Sequence, residues 1–164
     1  MKLISLNTWG GRAGKDNLLS FFERNKDVDI FCLQEVWGGG EEMIGQMSAG
    51  KLLVDIDTSM LPNISNILKD HDMYFHPHFK DYYGLAMFVK KSFLVKGSGD
   101  VFVYKEQGFI SPGDWANHAR NLQYVSIMTE KGPRTILNFH GLWNGKGKTD
   151  SDDRLLQSEN VLAF

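Results

Sequence analysis

Apolar positions along the chain cluster in two ways, as short continuous runs and as helical or alternating stripes. The clearest run is Val28, Ile30, Phe31, Cys32 and Leu33, which reads as a strand buried on both faces. It ends on a carboxylate, Glu35, just before Gly38-Gly39-Gly40, where rigid scaffold gives way to a loop. Lys2-Leu3-Ile4-Ser5-Leu6-Asn7 is a second apolar strand, and it ends on an amide before Gly10 and Gly11. Leu18, Leu19 and Phe22 recur at helical spacing and predict an amphipathic helix over residues 16–25, with Asp16 or Asn17 as its cap.

Further on, Leu52-Leu53-Val54 is a short apolar segment, and Ile64, Ile67 and Leu68 mark a helix after Pro62. Residues 73–79 and 83–90 read as strands, and Phe93-Leu94-Val95 with Val101-Phe102-Val103-Tyr104 as a meander. Residues 106–118, with their Gly, Pro, Asp, Asn and scattered aromatics, predict a surface loop able to reach a substrate. Strict alternation from Leu122 to Thr129, the turn Glu130-Lys131-Gly132-Pro133 and the return from Arg134 predict a hairpin. Its second strand ends at His140, a third polar tip. A last helix opens at Asp150 or Ser151 and carries Leu155, Leu156, Val161 and Leu162.

Composition bounds the picture. A chain of 164 residues with 42% hydrophobic content suits one domain that buries about 70% of its unfolded surface. Its 18 basic and 20 acidic residues are spread along the sequence for a net charge of -2, so tight, sequence-blind binding to nucleic acid is not favoured. Cys32 is the only cysteine, which excludes an intrachain disulfide and a thiolate metal cage. No run approaches the length of a bilayer-spanning helix, and polar residues interrupt the amino terminus too early for a signal peptide. The cytoplasm is the expected compartment.

Three near-motifs fail on chemistry. Gly14-Lys15 is followed by Asp16 where a phosphate-cradling loop needs a hydroxyl, and Gly147-Lys148-Thr149 would require its first glycine at Leu142. His76-Pro77-His78 places two imidazoles on one strand face but lacks a third ligand for zinc.

Leu6-Asn7-Thr8-Trp9, Leu33-Gln34-Glu35-Val36, Tyr83-Gly84-Leu85-Ala86-Met87-Phe88, Arg120-Asn121-Leu122 and Asn138-Phe139-His140 follow one another in order. This series resembles the endonuclease/exonuclease/phosphatase superfamily, the deoxyribonuclease-I-like hydrolases, over nearly the whole chain. The resemblance implies an α+β fold, the layered α/β/β/α sandwich. The strands read as its first sheet with flanking helices, which would leave an apolar face open to self-association. It further implies a divalent-metal-dependent hydrolase of phosphate esters, with Glu35 and Asn7 toward Mg2+ or Mn2+ and His140 and Asn7 in catalysis. Arg120, Tyr82, Tyr83 and Asn144 would face the substrate phosphate. A strand-end acid suits a hard cation, and a guanidinium fork suits two phosphate oxygens. The superfamily's later Asp-x-Asn and Asp-His motifs have no counterpart here, so residues 1–164 are expected to be either the amino-terminal part of one larger domain or a natural truncation of it. The rival expectation is a noncatalytic fragment or binding module that keeps the scaffold.

Overall fold

The computed structural model describes residues 1–39, 44–49, 52–143, 145, 147 and 149–164. Four strands form the first sheet: β1 (Leu3–Asn7), β2 (Ile30–Trp37), β5 (His71–Phe79) and β6 (Tyr83–Lys90), in the order β1-β2-β6-β5. β1 and β2 are parallel, joined through α1 (Lys15–Arg24), and the other pairs are antiparallel. β7 (Leu94–Tyr104), β10 (Arg120–Thr129) and β11 (Gly132–Phe139) make a second, antiparallel sheet in the order β11-β10-β7. β3 (Ile44–Ala49) pairs with β4 (Leu52–Asp57), α2 (Met60–Ile67) follows, β8 (Ile110–Ser111) pairs with β9 (Asp114–His118), and α3 (Asp152–Ala163) ends the chain.

Alternation along β2 and β6 explains both their unbroken hydrophobicity and the layers. Phe31, Leu33, Ala86 and Phe88 point to α1 and α2, where Phe22, Met60, Leu61 and Ile64 meet them. Ile30, Cys32, Met87 and Val89 point the other way, onto Val125 and Ile127 of the second sheet. α3 covers that sheet's far side, with Asn160 donating to the Val103 carbonyl and Phe164 against Tyr124. The layered α/β/β/α order and the α+β class follow from this packing.

Three expectations are corrected. The chain carries strands of both sheets rather than the first alone, because β7, β10 and β11 turn their apolar positions onto the face that was expected to lie open. Residues 106–118 are not one irregular loop; β8 and β9 form a small hairpin turning at Gly113, whose φ is 74°. α1 begins at Lys15 behind Gly14, with no side chain bonding its first turn, so neither Asp16 nor Asn17 caps it.

The gap between the sheets is apolar at one end and polar at the other. At the polar end the Asn138 amide donates to the carbonyls of Leu33 at 3.0 Å and Ala86 at 3.3 Å and to Gln123 Oε1 at 3.0 Å. Its own oxygen accepts from Gln34 at 2.7 Å. Gln123 reaches on to the Tyr74 carbonyl at 2.8 Å, and Asn121 to the His76 carbonyl at 3.1 Å. Gln34, Gln123, Asn121 and Asn138 are all buried, so each bond replaces one that water would otherwise make. Replacing Asn138 by Ala takes a buried partner from Gln34, Gln123 and two carbonyls; urea unfolding of Asn138→Ala should show a loss of about 3 kcal/mol or more.

Candidate functional site

The carboxyl ends of β1, β2 and β11 and the amino ends of β6 and β10 meet at one edge of the sandwich. The register sets this: Asn7 lies beside Gln34, Trp37 beside Tyr83, and Leu122 beside Phe139. They open on a cleft of about 400 Å³ lined by Trp9, Arg12, Glu35, Trp37, Tyr83, Trp115, Ala116, His118, Arg120, His140 and Trp143.

Glu35 reaches this cleft through a bulge. The β2–β6 register slips between Leu33 and Val36, and Glu35 takes a left-handed φ of 55°. The extra residue flips the alternation, so Val36 joins Phe31 and Leu33 in the helix-facing core and the acid leaves the ladder. Thr8 holds the bulge: its hydroxyl donates to the Glu35 carbonyl at 2.9 Å, and its N–H to the Gln34 carbonyl at 2.9 Å.

Around the acid stand an amide, an imidazole and a guanidinium. Asn7 Nδ2 donates to Glu35 Oε1 at 2.9 Å and lies 3.4 Å from His140 Nε2. Asn7 Oδ1 accepts the Trp9 N–H at 2.8 Å, so the amide turns its donor side, not its oxygen, toward the acid. His140 Nε2 is 3.5 Å from Glu35 Oε1. Its Nδ1 is 3.0 Å from Arg120 Nη1. A guanidinium can only donate, so Nδ1 accepts and the neutral ring carries its proton on Nε2, facing the acid. Burial holds the His140 pKa down to about 4, aided by the Arg120 charge and opposed by Glu35.

Arg120 is buried, and its Nη2 donates to the Ala116 carbonyl at 3.2 Å. Its fork is therefore largely committed to holding His140 and the β9 segment, while Nε makes no bond to the described residues. Tyr83 lines the cleft, and burial raises its pKa and keeps the hydroxyl protonated. Tyr82 does not; it stacks on Trp37 at 5.7 Å and meets Phe79 edge-on. Asn144, Lys146 and Lys148 lie outside the described residues. Sequence patterning missed Arg12, an exposed guanidinium on the lining, and His118 with Trp115. Only their place next to glycines or inside an aromatic-rich segment hinted at them.

Behind Tyr83, His78 and His118 stack at 4.9 Å. His78 Nδ1 donates to Asn121 Oδ1 at 3.2 Å and His118 Nδ1 to the Trp115 carbonyl at 2.8 Å. Both rings are neutral: burial, then His118 and the Arg120 charge, hold His78 well below 6.5, and burial followed by Arg120 holds His118 to about 3.

The model of the endonuclease/exonuclease/phosphatase family matches residues 4–162. The chain belongs to this family. Among solved structures, a family protein from Leptotrichia buccalis is 15% identical with a TM-score of 0.64, covering 99% of this chain and 61% of its own. A mannosyl-6-phosphatase from Bacteroides thetaiotaomicron is 16% identical, TM-score 0.64, over 98% of this chain and 57% of its own. TDP2 from Caenorhabditis elegans is 19% identical, TM-score 0.58, over 88% and 36%. The chain thus spans about 61% or less of the length of these relatives, and at such identities the likeness concerns the fold. No curated protein matches the sequence. Among the described residues no helix is long and apolar enough to cross a membrane.

The buried imidazoles give a pH dependence with a definite sign. The unfolded chain protonates them near 6.5 while the folded one does not until about 3 for His118, so the unfolded state binds more protons and stability falls as pH drops below 6.5. The slope is about 1.4 kcal/mol per pH unit for each ring. Unfolding free energy should fall by roughly 2 kcal/mol between pH 7 and pH 5 from His118 alone, with His78 adding to the loss in the same direction. His118→Gln should remove its own share of that difference.

Proposed function

We propose that the cleft is the metal and phosphate centre of a divalent-metal-dependent phosphoester hydrolase, and that residues 1–164 contribute it as part of one domain. The observation that carries this reading is the convergence of Glu35, Asn7 and His140 within 3.5 Å of one another at the ends of separate strands. Phosphoesters resist water so strongly that an enzyme must remove upwards of about 20 kcal/mol of barrier.

The donor set suits Mg2+ or Mn2+ rather than a caged ion. Mg2+ is held by one or two carboxylates and completes its shell with water and substrate oxygens; Glu35 is one such carboxylate, and among the described residues no cluster of three His, Cys, Asp or Glu stands ready for another type of site. When bound, the ion polarises the phosphoryl oxygen. Asn7 keeps the Glu35 carboxylate oriented by donating to Oε1. His140 presents Nε2–H, a donor suited to charge developing on a phosphoryl oxygen. Arg120 fixes that tautomer and adds positive potential, and Tyr83 offers a protonated hydroxyl. Asn144 stays in this reading as a phosphate contact on sequence grounds alone.

Within the described lining the one carboxylate is Glu35, already assigned to the metal, and Nε2–H of His140 cannot take a proton from water. No residue of that described lining is assigned to activate the attacking water. This supports a second reading, a scaffold that binds metal and phosphate without turnover. Thermal unfolding with Mg2+ tests the shared core: a ligand that binds only the folded state raises its stability. The melting temperature should rise with Mg2+ in the parent chain and stay flat in Glu35→Gln. Hydrolysis of bis-p-nitrophenyl phosphate with Mg2+ separates the two readings, and an enzyme should lose about 100-fold or more of its rate in His140→Ala.

A further inference from the structure

The chain has four tryptophans, and all four line this one cleft. Two are structural. Trp37 is buried against Tyr82 and Tyr83, and Trp115 packs on Phe79, Tyr83 and His118. Trp9 and Trp143 behave differently: they are 53% and 43% exposed, and among the described residues neither stacks on another ring.

Trp9 is also held in a conformation that a bulky residue avoids, with φ at 47°. Gly10 follows at φ 58°, and a Cβ there would come within 2.5 Å of Trp37 Nε1, so the backbone must pass close to the buried indole. The Asn7 side chain accepts the Trp9 N–H at 2.8 Å and helps to hold the turn. The fold gains little core from an indole that is half exposed, yet it carries backbone strain to project that ring over the cleft. Strain of this kind gathers at sites that hold a ligand.

The rest of the lining says what the rings would meet. Arg12, Arg120, His140, Tyr83 and Glu35 supply charge and donors suited to phosphate and metal. Beyond them stand indoles, an alanine and His118, with few groups to read the hydroxyls of a sugar. A flexible aliphatic alcohol would use neither the flat faces nor their rigidity. Indole faces bind planar rings tolerantly, each stack weakening about 5- to 100-fold when the aromatic is truncated. The cleft of about 400 Å³ has room for a ring-bearing group.

We propose that Trp9 and Trp143 form a stacking subsite for a planar aromatic ring carried by the phosphoester, beside the metal and phosphate centre. The assignment rests on the phosphoester reading above and adds a substrate class to it. Two sources share the chemistry, a nucleobase and a phenol. Trp9 and Trp143 are then specificity-determining residues, reached by the ring while the phosphate lies toward Glu35 and His140.

Calorimetric titration of the full chain in metal-free buffer, so that binding is read without turnover, provides the test. The probes are inorganic phosphate, glycerol phosphate, glucose 6-phosphate, phenyl phosphate and adenosine monophosphate. The two aromatic esters should bind about tenfold or more tightly than glycerol phosphate. Trp9→Ala and Trp143→Ala should each cut that ratio about fivefold or more, and Trp9→Phe and Trp143→Phe should restore most of it. The tighter of phenyl phosphate and adenosine monophosphate identifies the source. Because every tryptophan lines the cleft, quenching of intrinsic emission should follow the same affinities. If glycerol phosphate or glucose 6-phosphate matches the aromatic esters while inorganic phosphate still binds, the stacking subsite is overturned and the phosphate reading survives. If no probe binds in metal-free buffer and none binds once Mg2+ is added, both fall.

Discussion

The Asn138 side chain is the point on which the site's geometry depends. It sits between two sheets, saturates both hydrogens and its oxygen, and ties β11 to β2, β6 and β10 at once. An apolar contact in its place would tolerate sliding of one sheet over the other; a set of directional bonds in a dry gap does not. Two of its acceptors, the Leu33 and Ala86 carbonyls, lie at the last regular pair before the β2 bulge. The bond set that fixes the sheets therefore also fixes where β2 leaves the ladder, and with it where Glu35 emerges. His140 follows Asn138 by two residues, so the same anchor places the imidazole.

Strain at the strand tips is tolerated because each tip is over-determined. Glu35 and Trp9 both occupy left-handed backbone that costs about 1–3 kcal/mol apiece. Thr8 stands between them in effect, bonding the carbonyls of Gln34 and Glu35, while Asn7 bonds the Trp9 N–H and the Glu35 carboxylate. Two short polar side chains from one turn thus restrain both strained residues. The amide of Asn7 spends its oxygen on this restraint, which is why it faces the acid as a donor.

Period-two and helical patterns made the layers readable in advance, since Ile30, Phe31, Cys32 and Leu33 alternate between two buried faces and leave no polar gap. The three tips, Asn7, Glu35 and His140, were legible too, as polar residues closing apolar runs before glycines. The second sheet was not, because alternation in residues 122–139 specifies a half-buried hairpin without saying which surface it covers. Glu35 shows the limit most clearly: strict alternation assigns it to the face of Phe31 and Leu33, and only the bulge, invisible in the pattern, turns it outward. The family resemblance set Arg120 against the phosphate as an open fork, and its position at a strand start gave no hint of partners. Its partners, Ala116 and His140, come from other strands that only the tertiary fold brings near.

Arg120 also sets the electrostatic character of the cleft. It is a buried cation with no carboxylate in ion-pair distance among the described residues; its neighbours are imidazoles held neutral and a phenol held protonated. Glu35 opposes it from across His140, and burial still lowers the guanidinium's own pKa. A buried charge without a full partner is costly, and the nearby rings meet that cost by giving up their own charge rather than by supplying an anion. The Arg120 charge is fixed in place by bonds to Ala116 and His140. An arriving anion would find that cation already oriented, with no bond to a carboxylate to break, which is the arrangement that makes electrostatic stabilisation effective.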